Sequence, residues 1–372
     1  MLGVTQNTDI ISFAGGLPAP WLFPLEELEN AAARAMQNGK KLLQYSLSEG
    51  LAELREYICE HMQRKSGVKL AAENILITSG AQQGLDLLSR IFLESDTPLY
   101  LEKPTYPGAI QTFSFWQPAF QQVNLTDDKK EQFTQGSGLF YFMPNFQNPS
   151  GHSYSQKTRE ELAEIAMKKD LLLVEDDPYG ELRYDSSDLP PLYSLCQNTV
   201  YLGSFSKTVA PGMRLGWIAA PATIMKNLII AKQASDLHSS TLAQGVLLEY
   251  LKTANLDEHI GKIKKVYASS RDVMCETLKK ELPQLEFSKP DGGMFVWCRL
   301  PQQINAAEFS KRALEHGVAV VFGNAFYFDG NGPECIRLNF SNQSHDNIIR
   351  GIKLLQTVFQ EMINENVHFL HV

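Results

Sequence analysis

The chain has 372 residues, of which 44% are hydrophobic and 20% charged, with a formal net charge of −8. This length supports two substructures with cores of their own, and the composition excludes a disordered or fibrous chain. The acidic balance, the lack of a long Lys/Arg run and the lack of about 18 successive apolar residues leave no expectation of nucleic acid or membrane as partner.

In chain order, the N-terminal "MLGVTQNTDIISFAGG" lacks the basic start and apolar middle of a signal peptide, so a cytoplasmic protein is expected. "NILITSG" (74–80) reads as a strand running into the helix "AQQGLDLLSRIFL". "PLYLEKPTY" and "GLFYFMP" are further strands, and the amphipathic "TREELAEIAMKKD" feeds the strand "LLLVEDD" (171–177). "TVYLGSFS" and "RLGWIAA" follow. Alternating β and α segments whose strands are apolar on both faces predict an α/β fold with a largely parallel sheet covered by helices. The pattern is then helical for about 60 residues from position 222, a length suited to a helix crossing between domains. Beyond it, "LEFSKPDGGMFVWCRL", "NAAEFSKRALEHG", "VAVVFG", "CIRLNFS" and "DNIIRGIKLLQTVFQEMI" describe a smaller α+β unit. The five cysteines are scattered and odd in number, without CxxC spacing; core thiols are expected, not disulfides or a metal site.

Open sheets of this kind bind ligands at the carboxyl ends of their strands. Lys207, Asp176 and the Ser79-Gly80 turn all lie at such ends. A lysine in a cleft loses hydration, its pKa falls, and it becomes an amine able to form a Schiff base with an aldehyde. Pyridoxal phosphate is the aldehyde that recurs in amino-acid chemistry, and its ring works as an electron sink when a carboxylate keeps the ring nitrogen protonated. Lys207 and Asp176 are candidates for these two tasks. The turn Gly80-Ala81-Gln82, which opens a helix after a strand, can receive a phosphate, with Ser204, Ser206 and Arg214 supplying hydroxyls and a guanidinium. Glu175 and Asp177 flank Asp176, but alternation along a strand sends Asp176 to the face opposite both. Each residue also has an ordinary alternative: Asn148 before Pro149 can start a turn, Tyr106 can pack in a core, and Arg337 can pair with a surface acid.

"SFSKTVAPGMRLGW" resembles the lysine-loop signature of the fold-type I pyridoxal-phosphate enzymes, in the class I/II aminotransferase group. "ISFAGGLPAPWLFP", "LQYSLSEG", "ITSGAQQGLDL", "EKPTYPGA", "PNFQNPSG", "VEDDPYGELRY" and "IRLNFS" resemble further blocks of that family in its order, most of all the branch with α-aminoadipate, kynurenine and aromatic aminotransferases. The resemblance implies a large domain, residues 26–250, with a mostly parallel central sheet, and a smaller α+β domain formed by residues 1–25 and 251–372. It implies transfer of an amino group from an L-amino acid to a 2-oxo acid such as 2-oxoglutarate by a ping-pong mechanism. Lys207 then holds the cofactor's aldehyde and shuttles the proton, Asp176 pairs with the ring nitrogen, and Asn148 and Tyr179 hydrogen-bond the phenolic oxygen. Tyr106 stacks on the ring, while Gly80, Ala81, Gln82, Ser204, Ser206 and Arg214 hold the phosphate. Arg337 grips the substrate carboxylate with help from Asn148 and the Gly16 backbone, and Tyr45 reaches the cofactor of the neighbouring subunit in a homodimer.

Two departures bear on substrate. The chain starts only a few residues before "ISFAGG", without the longer arm of several relatives, and it has no Arg or Lys before Arg34, whereas dicarboxylate-selective relatives place an arginine there. Trp21 follows "LPAP" and is expected near the substrate entrance, where it offers the substrate an apolar surface. An aromatic or aliphatic side chain is therefore expected over α-aminoadipate, with Arg34 a candidate to swing in for a dicarboxylic keto acid. The alternatives are an α-aminoadipate-preferring enzyme, a β-lyase of the same fold, and a ligand-sensing regulator. The regulator is expected to carry an N-terminal DNA-binding domain, for which the block at residue 11 leaves no room. "GSFSKT" lacks the spaced glycines of a nucleotide-binding loop.

Overall fold

The computed structural model describes residues 10–125, 132–134 and 136–369. Strand β1 (Ile11–Ser12) is followed by helices α1 (Leu25–Gln37) and α2 (Ala52–Ser66). The α/β part runs β2 (Ile75–Thr78), α3 (Ala81–Phe92), β3 (Pro98–Glu102), α4 (Pro107–Ser114), β4 (Ala119–Val123), β5 (Gly138–Phe142), α5 (Gln156–Lys169), β6 (Leu171–Asp176), β7 (Thr199–Ser204) and β8 (Gly216–Ala219). These strands form one seven-stranded sheet in the order β2-β8-β7-β6-β5-β3-β4. Runs such as Phe140, Tyr141 and Phe142 or Leu173 and Val174 are buried regardless of alternation, because helices cover both faces of the sheet. Gly84 lets α3 lie close on the sheet, since a Cβ there would stand 2.9 Å from Leu202.

All neighbours pair in parallel except β8, which runs against both β2 and β7. No α-helix crosses between β7 and β8; residues 205–215, with one short 3-10 turn at Pro211–Met213, bring the chain straight back, and a direct return gives an antiparallel pair. Because β2 and β7 both oppose β8, their carboxyl ends share an edge with those of β3, β5 and β6. The Lys207 loop rims that edge.

The long helical stretch is three helices, not one: α6 (Ala222–Asp236), α7 (Thr241–Thr253) and α8 (Leu256–Glu281). Leu237 breaks the first with a φ of 66°, and Asn255 caps the third by accepting from Glu258 N–H. The remaining elements are β9 (Glu286–Phe287), β10 (Phe295–Arg299), α9 (Ala306–Glu315), β11 (Val318–Ala319), β12 (Val321–Phe322), β13 (Cys335–Asn339) and α10 (His345–Phe369). They build an antiparallel sheet β12-β13-β10-β9, while β11 pairs in parallel with β1 and so ties the N-terminal segment to this unit. All five cysteines are free thiols, four of them buried and Cys59 half-buried. Among the described residues no helix is long and apolar enough to cross a membrane.

Candidate active site

Lys207 follows β7 by three residues and stands half-buried in a cleft at the carboxyl edge of the sheet, where its Nζ donates to the Gly16 carbonyl at 2.7 Å. Burial, then the positive fields of Arg337 and Arg214, lower its pKa to about 8. A substantial neutral fraction therefore exists near physiological pH, as a nucleophilic amine needs.

Asp176 ends β6 and is buried. Its Oδ2 accepts from the Tyr141 hydroxyl at 2.8 Å, and its Oδ1 has no partner. Burial raises its pKa to about 7, against the Tyr141 hydrogen bond that lowers it. The two flanking acids have other surroundings. Glu175 turns to the opposite face and accepts from the backbone N–H groups of Leu192 and Tyr193. Asp177 accepts from Asn145 at 3.0 Å and Tyr201 at 3.1 Å.

Arg337, on β13, is buried; it donates to Asn148 Oδ1 at 2.7 Å and to the Ala14 carbonyl, and its Nε is unpartnered. Its guanidinium carbon lies 4.3 Å from the centre of the Phe295 ring and 5.1 Å from that of Phe326. Among the described residues no carboxylate pairs with it, and burial lowers its pKa to about 10. Tyr179 is buried edge-on to Phe295 and hydrogen-bonded to Asn148; burial pushes its phenol well above its ordinary value. Asn148 thus joins Arg337 to Tyr179.

At the other end of the cleft, Gly80 caps α3 with a φ of 82°. A Cβ there would meet Arg214 Nη2 at 2.4 Å, so glycine serves both the left-handed backbone and the close approach of the guanidinium. Arg214 donates to the carbonyl of Ser79 at 3.2 Å. The Ser206 N–H donates to Ser204 Oγ at 3.1 Å. Gln82 donates to Thr112 at 2.6 Å and accepts from the Tyr106 hydroxyl at 3.3 Å, which ties the start of α3 to α4.

Nine of the expected residues line this single cleft: Ala81, Gln82, Tyr106, Asp176, Tyr179, Ser204, Ser206, Lys207 and Arg214. Asn148, Gly16 and Arg337 adjoin it through the bonds above, although Gly16 offers its carbonyl to Lys207. Two expected residues lie elsewhere. Tyr45 is 79% exposed, edge-on to His238, and Trp21 is 56% exposed in the turn Pro20–Leu22. Arg34 donates to Thr253 at 2.8 Å and pairs with Glu249, outside the cleft lining. Sequence reasoning missed Tyr141, Phe295 and Phe326. A hydroxyl within the apolar run of β5 was the one available sign of the first. His61, Glu181 and Asp257 also converge, within 4.8 Å of one another, but Arg64 and Lys65 pair with Asp257 and Arg64 reaches His61 Nδ1 at 3.2 Å, so protein cations occupy that surface.

These features fit pyridoxal phosphate. A protonated ring nitrogen would complete the orphaned Asp176 Oδ1, an aldehyde suits the pKa-lowered Lys207, and the start of α3 beside Arg214 suits a phosphate. Residues 17–355 match the family model of aminotransferase class I and II. The chain is 37% identical to aromatic-amino-acid aminotransferase 1 of Thermococcus litoralis, over 97% of this chain and 91% of that one. It is 38% identical to 2-aminoadipate transaminase of Thermus thermophilus, over 95% and 91%. The solved α-aminoadipate aminotransferase of Thermus thermophilus, complexed with N-(5'-phosphopyridoxyl)-L-leucine, superposes with a TM-score of 0.91 at 36% identity, over 98% of this chain and 97% of that one. The chain belongs to the class I and II aminotransferases, pyridoxal-phosphate enzymes of fold type I.

Proposed function

We propose that this aminotransferase acts on amino acids with aromatic or aliphatic side chains, in the cytoplasm, as a homodimer whose active sites are shared. The observation that carries the site assignment is the buried Asp176 Oδ1 without a partner, in the same cleft as a lysine of lowered pKa. When bound, pyridoxal phosphate supplies the electron sink that makes the substrate's Cα–H acidic. Asp176, held in place by Tyr141, would keep the ring nitrogen protonated. Lys207 would hold the cofactor's aldehyde, and its Nζ, partly neutral near physiological pH, is the base placed to take up and give back the substrate's Cα proton. Asn148 and Tyr179 would hydrogen-bond the cofactor's phenolic oxygen, and Tyr106 would pack against its ring. Gly80, Ala81, Gln82, Ser204, Ser206 and Arg214 would hold the phosphate.

Arg337 binds the substrate carboxylate with two parallel N–H bonds, and the flanking Phe295 and Phe326 rings fix the guanidinium plane. The large domain of residues 26–250 carries the cofactor, and residues 1–25 with 251–372 form the small domain that brings Arg337; residues 1–9, 126–131, 135 and 370–372 of that division lie outside the described residues.

The named relatives divide between aromatic amino acids and 2-aminoadipate. Among the described residues, Lys207 and Arg214 are the cations in the cleft lining and Arg337 adjoins it, each with a task already, while Arg34 is engaged by Glu249 and Thr253. Nothing in the described segment from Ile10 to Leu22 offers a further cation to a side-chain carboxylate. A panel of amino acids with 2-oxoglutarate as acceptor tests the reading, with phenylalanine, tyrosine, kynurenine and leucine expected ahead of α-aminoadipate. Pyruvate and ammonia released without a keto acid would replace it with a β-lyase.

A further inference from the structure

Lys232, in α6, has a side chain fully shielded from solvent, a costly place for an ammonium unless every N–H finds an acceptor. Here all three do. Nζ donates to Gln83 Oε1 at 2.8 Å, to the Asp236 carboxylate at 2.6 and 2.8 Å, and to Ser239 Oγ at 2.9 Å. Each of these acceptors also touches Ser79. The Ser79 N–H donates to the same Gln83 Oε1 at 2.8 Å; its hydroxyl donates to Asp236 Oδ2 at 3.1 Å and lies 3.1 Å from Ser239 Oγ. Gln83 Nε2 closes the ring by donating to Asp236 Oδ2 at 2.8 Å. The remaining polar group of Ser79, its carbonyl, accepts from Arg214.

We propose that Lys232 is a positioning residue for the cofactor's phosphate: through Gln83, Asp236 and Ser239 it fixes Ser79, and through Ser79 it sets the Gly80 turn and the Arg214 guanidinium. This rests on the reading of residues 80–82 and Arg214 as the phosphate cradle. Lys232, Asp236 and Ser239 do not line the cleft, so the effect is indirect. The Lys232–Asp236 pair is neutral as a unit, so it adds no net charge to attract the anion. It removes freedom from the turn before the ligand arrives, and a cradle ordered in advance loses less entropy on binding.

The full-length Lys232→Met variant and the wild type, both stripped of cofactor, are titrated with pyridoxal phosphate and, separately, with pyridoxal, which lacks the phosphate. The dissociation constant for pyridoxal phosphate is expected to rise at least roughly tenfold, and that for pyridoxal by less than about twofold. Equal changes for the two probes, or no change, overturn the proposal. Gln83→Leu cuts the lysine from the Ser79 N–H and leaves the ion pair; should Lys232→Met fail to fold, this variant must show the same selective loss or the proposal falls. Arg214→Ala separates the two levels. If it weakens the phosphate form alone while Lys232→Met does not, the cradle stands and the role of Lys232 is refuted; if it too fails to discriminate, the cradle reading falls and takes the proposal with it.

Discussion

Tyr141 donates to Asp176 Oδ2 at 2.8 Å and leaves Oδ1 of the same carboxylate with no partner. The pair sits on adjacent parallel strands, β5 and β6, so the sheet itself sets its geometry. A half-satisfied buried carboxylate is poised for one more donor, and it is costly until that donor arrives.

That cost has a pH signature. Without cofactor the folded chain holds a proton on Asp176 up to about pH 7, whereas the ordinary value is 3.8. The native state thus binds this proton more tightly than the unfolded state, and on this group's account stability falls as pH rises from about 4 to about 7. Asp176→Asn is expected to make the cofactor-free chain about 1–2 kcal/mol more stable than wild type at pH 8, with the gain vanishing near pH 4, while turnover drops at least about a hundredfold. Urea unfolding at the two pH values measures it. A gain of equal size at both would show that ionisation of Asp176 is not its source.

Lys207→Ala should lose the cofactor's visible absorption band along with turnover. In the wild type, covalent capture of added pyridoxal phosphate by the stripped enzyme should accelerate with pH around a midpoint near 8, because the neutral amine reacts and its pKa is lowered to about 8. Removing the neighbouring positive charge with Arg337→Ala favours the protonated amine and should move that midpoint upward. An unmoved midpoint would leave burial and the Arg214 charge as the causes of the depression.

Tyr45 is exposed and away from the cleft of its own chain, as a residue working on a neighbour would be. Mixing Lys207→Ala with Tyr45→Phe subunits tests this, given impaired parents and demonstrated exchange. One site in each mixed dimer combines a sound Lys207 with a sound Tyr45, so an equal mixture should recover about a quarter of wild-type activity. Failure to recover any would place Tyr45 outside the partner's site.

Burying an unpaired side-chain carboxylate costs several kcal/mol, whereas a ring gains from apolar burial. The ratio kcat/KM for phenylalanine, tyrosine, kynurenine or leucine should therefore exceed that for α-aminoadipate by at least roughly tenfold, measured against one saturating keto acid. A preference for α-aminoadipate would mean that a cation reaches the side chain from outside the residues named above.

The parts of the site that sit at strand ends were legible because βα alternation fixes where strands stop, and ligands collect there. Strand alternation also singles out Asp176 from its two neighbours in position, if not in role. Other features depend on contacts distant in sequence. Tyr141 lies in a run buried on both faces, where nothing local separates a hydrogen-bonding tyrosine from a packing one. Phe295 and Phe326 meet Arg337 only through the pairing of β10 with β13 and the turn Gly323–Phe326. The direction of β8 is invisible in an apolar segment, and Leu237 gives no local sign of the positive φ that ends α6. Lys232 reads as a helix-surface lysine until Gln83 and Ser239 are brought to it from two other segments.

Glu175, Asp176 and Asp177 stand in succession, yet only one of them opens on the cleft. The pairing that sets Asp176 beside Leu202 and Glu175 beside Tyr201 therefore stores a choice in parity, odd against even along a strand of six residues. A frame slip of one position would present a different acid to the cleft with composition, charge and apolar count all unchanged. A single residue inserted or deleted between Leu171 and Asp176 would thus corrupt the chemistry while leaving the chain's chemical inventory almost intact.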